Sequence, residues 1–421
     1  MAESADVVVI GAGAVGLCCA LELARSGRNV VVLTRDEVGI GCSLGNSGLV
    51  LTSVCGPLAE PGAIGQSLRA MRDPDAAFRM RLRADTRFVR WLWNFRRCCT
   101  REAWRAGLVY TRDLIRAGRP IFEQLAKEAE FGYRHAGVLA LFKDEASFES
   151  KAAANQVLAE LDIASQQLDR KQVRQMEPRA TDQVVGGFLF PEDAHLNPRQ
   201  FLMAMAGLAQ RAGVRIVSGA TVSSFLTAGR RISQVVSSAG NLSCELVVLA
   251  AGAWSPNIAR RLRLPLLIEA GKGYSLTRHD GEGGFVRPVR LGEIRTVVTP
   301  MGGSLRITAK LDLVGLNLDL EPGRWERIPV LARDYVRLDD GFASIQPWSG
   351  LRPLTPDGYP LLGFHPAIPN LLLATGHGYL GLALSTITGR LVSRLAANGD
   401  PGMDIAPMHP ARFTNGRRAG P

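Results

Sequence analysis

The chain has 421 residues, of which 46% are hydrophobic and 21% charged, a composition typical of a folded globular protein and a length suited to two interleaved domains. No apolar run approaches the roughly 18 residues that a membrane-spanning helix needs. The net charge is +11, and only six of the 50 basic residues are lysines. A genomic bias towards arginine explains this charge, and attraction to anionic lipid or acidic substrates is the alternative. Without a lysine-rich run or a recognition module, we expect no nucleic-acid binding.

The cysteines argue for a reducing compartment. All seven are scattered, and none forms a CxxC pair or a cluster with histidine. We therefore expect free thiols, no metal site and a cytoplasmic protein. The N-terminus runs directly into a predicted strand, so no signal peptide is predicted.

The first predicted unit binds a dinucleotide. Val7–Ile10 is a short β-branched run typical of a buried parallel strand, and Gly11-x-Gly13-x-x-Gly16 follows it without a gap. A helical run ends near Gly27, and Val30–Leu33 is a second strand. Phosphates bind at the N-terminus of such a helix, where backbone N–H groups are free and the helix dipole favours negative charge. The expected contacts are Gly11, Gly13, Ala14, Val15 and Gly16.

The position after the second strand departs from the usual pattern. An acidic residue normally binds the adenosine ribose there, whereas this chain has Thr34 followed by Arg35. An arginine in place of the acid is also typical of an NADP site. This region alone leaves FAD and NADP open, and either would use Thr34 and Arg35.

The middle of the chain alternates between predicted helices, strands and loops. Residues 39–66 are rich in Gly, Ser and Asn and are predicted to form loops near the cofactor. Residues 77–130 are mostly helical, and 88–97 mix aromatic residues with arginines. We interpret 88–97 as a helix packed on the core; a surface-seeking helix at a membrane or a partner subunit is the alternative.

The remaining elements suggest an α/β sheet with an insertion. We predict a strand at 137–143, helices at 144–162 and 197–211, parallel strands at 214–217 and 245–250, strand-like runs within 270–345 and a frayed tail at 407–421. The expected cofactor domain comprises 1–55, 190–268 and 348–406. The expected substrate domain comprises 56–189 and 269–347.

Four later motifs carry a family resemblance. They are Ser43-Leu-Gly-Asn46-Ser-Gly48, Lys272-Gly-Tyr274-Ser-Leu-Thr277, Leu351-Arg-Pro-Leu-Thr-Pro-Asp-Gly358 and Thr375-Gly-His-Gly-Tyr-Leu-Gly381. With the N-terminal unit, they resemble the D-amino acid oxidase-like superfamily of FAD-dependent oxidoreductases, and within it the bacterial D-amino acid dehydrogenase branch. The motifs span nearly the whole chain in the expected order.

The resemblance implies a fold and a cofactor. The fold is α/β, with a doubly wound, Rossmann-like FAD domain interleaved with a β-rich α+β substrate domain. Some relatives attach the flavin to a cysteine in the C-terminal half, but no cysteine follows Cys244, so we predict non-covalent FAD. Further cofactor contacts are expected at Ser43, Asn46, Ser47, Gly48, Val222, Ala251, Gly252, Gly376, Gly378, Tyr379, Leu380 and Gly381.

The resemblance also implies a reaction, namely oxidation of an amino group next to a carboxylate by hydride transfer from the α-carbon to flavin. The predicted catalytic residues are Arg352, which would bind the carboxylate through its planar fork, Tyr274, which would complete that clamp, and His377 in the glycine-rich turn. Lys272 would place a positive charge near the flavin, or would simply be a solvated lysine. Related oxidases often carry a second arginine at 299–302, where this chain has none.

The leading hypothesis is therefore a D-amino acid dehydrogenase that forms a 2-oxo acid and passes electrons to a quinone or another acceptor. A cyclic imino acid such as D-proline or hydroxy-D-proline is an alternative substrate. A flavin subunit of a hetero-oligomer and an NADP-dependent reductase are alternative classes of protein. The expected location is the cytoplasm, with peripheral contact at the inner face of the membrane as an option.

Overall fold

The computed structural model describes residues 3–70, 73–339, 341–342, 345 and 347–413. Its strands, in chain order, are β1 (Glu3–Ile10), β2 (Val30–Leu33), β3 (Leu49–Val50), β4 (Phe78–Met80), β5 (Val138–Phe142), β6 (Gln166–Asp169), β7 (Gly186–Phe190), β8 (Ala194–His195), β9 (Arg215–Val217), β10 (Val222–Ala228), β11 (Arg231–Ser237), β12 (Gly240–Leu249), β13 (Glu269–Arg278), β14 (Val289–Leu291), β15 (Thr296–Pro300), β16 (Leu305–Leu313), β17 (Trp348–Leu354), β18 (Leu361–His365) and β19 (Ile368–Thr375). Its α-helices are α1 (Ala14–Arg25), α2 (Ala63–Ala70), α3 (Thr86–Cys98), α4 (Arg101–Glu128), α5 (Glu145–Glu160), α6 (Arg170–Met176), α7 (Pro198–Arg211), α8 (Ser255–Ala259), α9 (Pro322–Trp325), α10 (Arg327–Ala332) and α11 (Ser385–Ala396).

The first sheet has the topology of a dinucleotide-binding fold. Strands β9, β2, β1, β12 and β19 lie side by side and parallel, and β10 and β11 add an antiparallel meander to the first half of β12. Helices α1 and α11 pack against each other on one face, where Leu17 and Leu391 are buried in a shared core. The carboxyl ends of β1, β12 and β19 meet at one edge, where ligands bind in open α/β sheets.

The second sheet is mixed and runs in the order β17-β13-β16-β15-β14-β5-β7-β6, with β4 beside β16. Its outer face packs on α10, where Leu276 and Ile307 bury against Ile328. Its inner face is turned towards the loops that follow the first sheet: there Val297 contacts Leu49 and Leu51. Because side chains alternate along a strand, each residue of this sheet belongs to one face or the other.

Most predicted elements agree with this architecture, and the predicted α/β fold class is confirmed. The strand at 137–143 is β5, and the helices at 144–162 and 197–211 are α5 and α7. One segment differs: the sequence had assigned 348–406 to the cofactor domain, but β17 at its start pairs with β13 of the second sheet. This strand therefore belongs to the second sheet.

The helix and the tail that the sequence singled out also have defined positions. Helix α3 buries Phe88 and Trp91 on the core, as interpreted, with the Trp91 and Phe95 rings stacked at 5.0 Å. The predicted frayed tail is wrong for 407–413, because Arg412 bonds the Asp357 carboxylate at 2.8 and 3.0 Å and Met408 is buried. The rest of that tail lies outside the described residues. Among the described helices, none has the length and hydropathy to cross a bilayer.

Candidate functional site

The glycine motif after β1 brings three backbones close together. Gly11 has a φ of +113°, and a Cβ there would lie 2.6 Å from the carbonyl oxygen of Ala250 at the end of β12. A Cβ on Gly16 would lie 1.9 Å from the carbonyl oxygen of Gly11. Any side chain at either position would therefore separate α1 from the strand ends, as the dinucleotide motif requires.

The N-terminus of α1 has the donor set that a pyrophosphate needs. Its N-cap residue, Gly13, provides no side-chain cap, and the Ala14 N–H donates to Ser43 Oγ at 3.2 Å. Val15 is the next residue of this first turn. A Cβ on Gly13 would point at Ser43 Oγ, 3.2 Å away, so the glycine leaves an open approach beside that hydroxyl. These residues fit the phosphate part of FAD.

The segment after β2 removes the reason to invoke NADP. Arg35 forms an ion pair with Asp36 at 2.8 Å, and its guanidinium stacks 4.8 Å over the Trp254 ring. The Thr34 backbone bridges to the next part of the sheet, donating to Val217 at 3.0 Å and accepting from Ala220 at 2.8 Å. Val222 comes two residues after Ala220, at the start of β10. The arginine charge is already compensated by a carboxylate, so no 2′-phosphate is needed to balance it.

The loop 43–48 is tied to the inner face of the second sheet by an arginine that our sequence analysis missed. Arg306 on β16 donates to the carbonyl oxygens of Leu44 at 2.6 Å and Asn46 at 2.8 Å, and its Nε donates to Thr277 Oγ1 at 2.9 Å. Burial lowers the pKa of Arg306 to about 10. Within the loop, Asn46 Oδ1 accepts from the Gly48 N–H at 2.9 Å, and Ser47 lies between them. Residues 299–302 contain no arginine, and Arg306 lies on the next strand.

Arg352 lies on the same inner face of the second sheet. It stands opposite Gly271, and a Cβ on Gly273 would lie 2.5–2.6 Å from its guanidinium, so the side chain crosses the strand where glycine leaves room. Its Nη1 donates to the Lys310 carbonyl oxygen at 2.8 Å. No ion pair to it is found among the described residues. Burial lowers its pKa to about 10, which leaves the guanidinium charged at neutral pH.

Tyr274 and Lys272 lie on the opposite, outer face of β13. Tyr274 is 1% exposed, with its hydroxyl 3.4 Å from Asp312 Oδ2 in the core beneath the sheet. Lys272 is fully buried and donates to Asn317 at 3.0 Å and to the Asp319 carbonyl at 2.8 Å. The structure therefore does not bring Tyr274 beside Arg352, and Lys272 is neither solvated nor turned towards the inner face. The reason is strand alternation: both residues sit one position out of phase with Gly271 and Gly273.

The glycine-rich turn after β19 closes the site from the first sheet. Gly376 and Gly378 have φ values of +79° and +56°, and Thr375 Oγ1 donates to the Gly252 carbonyl at 3.2 Å, next to Ala251. The turn continues through Leu380 to Gly381 as a short 3₁₀ segment whose N-cap offers no side-chain bond. Tyr379 donates its hydroxyl to the Gly56 carbonyl. This turn is thus held against the loop that follows β3.

The His377 side chain bonds helix α11. Its Nε2 is 3.0 Å from Thr388 Oγ1 of α11, and the side chain is 3% exposed. Burial lowers its pKa to about 3, so the ring is neutral at neutral pH. The geometry assigns the imidazole to the contact between the turn and the helix.

Two more residues of the inner face escaped the sequence analysis. Arg290 on β14 has neither an ion pair nor a hydrogen bond among the described residues; burial lowers its pKa, and Asp193 and Tyr379 are its electrostatic neighbours. Trp348 packs its ring where Cβ atoms on Gly45 and Gly350 would be, at 1.9 and 2.0 Å. No short motif marks these residues, and only the strand registers place them on the same face as Arg352 and Arg306.

Comparisons with known proteins agree with this geometry. Residues 6–395 match the family described as FAD dependent oxidoreductase. The chain is 31% identical over 415 residues to a D-amino acid dehydrogenase of Sinorhizobium medicae, covering 97% of this chain and 99% of that one. It is 30% identical to a D-amino acid dehydrogenase of Cereibacter sphaeroides, covering 99% and 97%.

Solved structures show the same fold. Glycine oxidase from Geobacillus kaustophilus superimposes with a TM-score of 0.76 at 21% identity, covering 97% of this chain and 99% of that chain. L-Proline dehydrogenase from P. horikoshii superimposes with a TM-score of 0.72 at 18% identity, covering 99% and 100%. The chain therefore belongs to this family of FAD-dependent oxidoreductases, as its motifs predicted, and FAD is its cofactor.

Proposed function

We propose that this protein oxidises a D-amino acid to the corresponding 2-oxo acid and ammonia, with Arg352 binding the substrate carboxylate. The observation that carries the proposal is a guanidinium, on the face of the second sheet turned towards the cofactor loops, that bonds a backbone carbonyl but forms no ion pair with any described residue. A half-buried arginine without an ion-pair partner costs free energy unless a ligand supplies the negative charge. An amino acid supplies it in the planar, bidentate form that a guanidinium recognises best.

The inner face has further groups suited to an anionic substrate. Arg290 adds a second positive charge that forms no ion pair among the described residues, and the Ser275 and Thr308 side chains lie on the same face between the two arginines. Arg306 donates to carbonyl oxygens of the loop 43–48, so its guanidinium stabilises the loop and is not free for the substrate alone. The substrate would thus be oriented by fixed positive charge, which lowers the barrier through positioning and electrostatics.

The chemistry needs no strong base from the protein. When bound, FAD supplies the two-electron acceptor for the hydride that leaves the α-carbon. His377 is neutral and bonded to Thr388, and Asp193 is saturated by Thr52 and Ser53, so neither is placed to accept a proton from the substrate. We propose that the amine enters neutral, and that water hydrolyses the resulting imine to the oxo acid and ammonia.

The names of the relatives support the finer parts of the proposal. The curated relatives are called D-amino acid dehydrogenases, which favours a D substrate and an acceptor such as a quinone. We also propose that FAD is held without a covalent bond, because no cysteine follows Cys244. A cyclic imino acid is the alternative substrate: buried Met301 packs its methyl group towards Gly48, which gives this side of the site an apolar wall.

The test is the visible spectrum of the purified, anaerobic holoprotein during addition of D- and L-amino acids, D-proline, its hydroxylated forms, glycine and sarcosine. We expect D-amino acids to bleach the flavin bands. Bleaching by D-proline alone would select the imino acid alternative, and bleaching by L-amino acids alone would contradict the D assignment. The matched variant is Arg352→Lys, which keeps the charge but loses the fork and should bleach only at much higher substrate concentration.

A further inference from the structure

One end of the inner face of the second sheet carries two cations that form no ion pair among the described residues. Arg290 on β14 stands between Val297 of β15 and Ala140 of β5, and its side chain is half-buried. Lys151 on α5 covers this end of the face, with its Nζ 5.4 Å from the centroid of the Phe190 ring. Two half-buried cations at one place cost free energy unless something neutralises them.

The two cations are close enough to repel each other. Burial and the charge of Arg290 lower the pKa of Lys151 to about 8, which leaves most of the ammonium charged at neutral pH. Asp193 acts on both cations, but its fully buried carboxylate already accepts from the Thr52 N–H at 2.7 Å and the Ser53 N–H at 3.2 Å, and from both hydroxyl groups. One carboxylate that is bonded elsewhere, set against two cations, leaves positive charge for a ligand to neutralise.

Two uncharged polar side chains in this region also lack partners. Asn155 lies one helical turn after Lys151, so both side chains share a face of α5. Neither Oδ1 nor Nδ2 of this buried asparagine has a hydrogen-bond partner among the described residues, and the same holds for the buried Oγ1 of Thr299, which is on the inner face two residues after Val297. Buried polar atoms normally have partners, so these groups gain them if a polar ligand enters between α5 and the sheet. We call Arg290, Lys151 and Asn155 the distal subsite.

The distal subsite shares its sheet face with Arg352 but lies several strands away. The Arg352 guanidinium crosses Gly273 on β13, and β16 and β15 lie between β13 and β14. Three strand spacings of about 4.8 Å place the backbone of Arg290 about 14 Å from that of β13. Tyr379, in the turn that closes the cofactor site, is an electrostatic neighbour of Arg290. A substrate held at Arg352 can therefore direct its side chain along the sheet towards the distal subsite.

We propose that the distal subsite binds a carboxylate at the end of the substrate side chain, so that the preferred substrate is an acidic D-amino acid. This inference rests on the proposed oxidation of a D-amino acid with Arg352 as the ligand of the α-carboxylate. A guanidinium and an ammonium group recognise the second carboxylate through charge-assisted hydrogen bonds. A neutral side chain of the same shape leaves those cations unpaired, and such a site discriminates strongly against it.

The test compares matched substrates in dye-linked turnover of the FAD-loaded protein, namely D-glutamate with D-glutamine and D-aspartate with D-asparagine. We expect kcat/KM for D-glutamate to exceed that for D-glutamine at least about tenfold, with a smaller preference in the shorter pair, whose carboxylate reaches less far. The ratio for D-glutamate over D-glutamine should fall to about one in Arg290→Met and at least about threefold in Lys151→Met. Lys171→Met, which removes an exposed lysine of α6, is the control and should keep the wild-type ratio.

A binding measurement without turnover separates this inference from the proposed function. Titration of the oxidised flavin spectrum should show that adipate binds at least about tenfold more tightly than hexanoate, which has one carboxylate, and that Arg290→Met removes the difference. Equal kcat/KM for D-glutamate and D-glutamine in the wild type would overturn the distal subsite and leave the proposed function standing. A protein that oxidises none of these D-amino acids contradicts the proposed function, and equal affinity for adipate and hexanoate would then overturn the subsite as well.

Discussion

Both faces of the second sheet carry charged residues, but the two faces differ in whether those charges form ion pairs. On the outer face, the Asp312 carboxylate accepts hydrogen bonds from Arg324 at 2.5 Å and from Arg79 at 2.9 Å, so these three charges are paired. On the inner face, Arg352 and Arg290 form no ion pair among the described residues, and Asp312 and Asp193 act on them only from beyond ion-pair distance. Charges that are paired within the chain stabilise the fold, whereas charges left unpaired near a cofactor loop are available to a ligand. This contrast is our reason for proposing that the inner-face residues of the Lys272–Thr277 motif, and not Lys272 and Tyr274, face the substrate.

The largest expected effect lies on the outer face. Asp312→Asn removes a fully buried carboxylate from two arginines, and we expect a loss of about 3–5 kcal/mol in the free energy of unfolding, because an uncompensated buried charge remains. Urea denaturation measures it. Asp182→Asn, which breaks an exposed ion pair with Arg174, is the matched control and should change nothing measurable. Equal stability of the two variants would show that the outer-face cluster is not structural.

On the inner face the effect should fall on activity and not on folding. Arg352→Met removes the proposed carboxylate ligand, and kcat/KM should fall at least about 100-fold, mostly through KM, since truncating one member of a buried charge pair costs 2–5 kcal/mol. Stability should hold or rise, because the arginine has no acid to lose. Steady-state kinetics with an artificial dye measures KM, and the change in flavin absorbance on urea titration measures stability. A variant that loses stability but keeps KM would assign Arg352 to the fold.

The sequence predicted features that depend on the local backbone, and missed features that depend on how strands pair. Motifs whose role depends on the backbone, such as Gly11 and Gly16, could be recognised because a glycine requirement is local to the chain. The α/β class followed from the spacing of strands and helices. Arg290, Arg306 and Trp348 could not be found, because their proximity depends on which strands pair and in which register. Tyr274 shows the converse, since a family motif does not tell which face of a strand a residue occupies.

His377 allows a pH test of a residue assigned to packing. Burial places its folded pKa at about 3, well below the value of about 6.5 expected when unfolded. The unfolded chain therefore binds the proton first, and stability falls as pH drops below about 6.5, by about 1.4 kcal/mol per pH unit from this group. His377→Gln should make the urea midpoint depend less steeply on pH below about 6.5. Some pH dependence should remain, because burial also lowers the pKa of His195 to about 4. An unchanged slope would contradict the buried, neutral ring.

The smallest expected effect separates the two faces most directly. Tyr274→Phe removes a hydroxyl whose contact, 3.4 Å from Asp312 Oδ2, is long for a hydrogen bond. Its loss should cost at most about 1 kcal/mol of stability and leave KM and kcat within about twofold, because the ring lies beneath the sheet that Arg352 lies above. A tenfold rise in KM would instead show that the tyrosine reaches the substrate and completes the clamp that the family resemblance implies. Arg352 and Tyr274 lie on the paired strands β17 and β13. If KM rises only in Arg352→Met, one side chain of this strand pair binds the carboxylate; if it rises in both variants, two do.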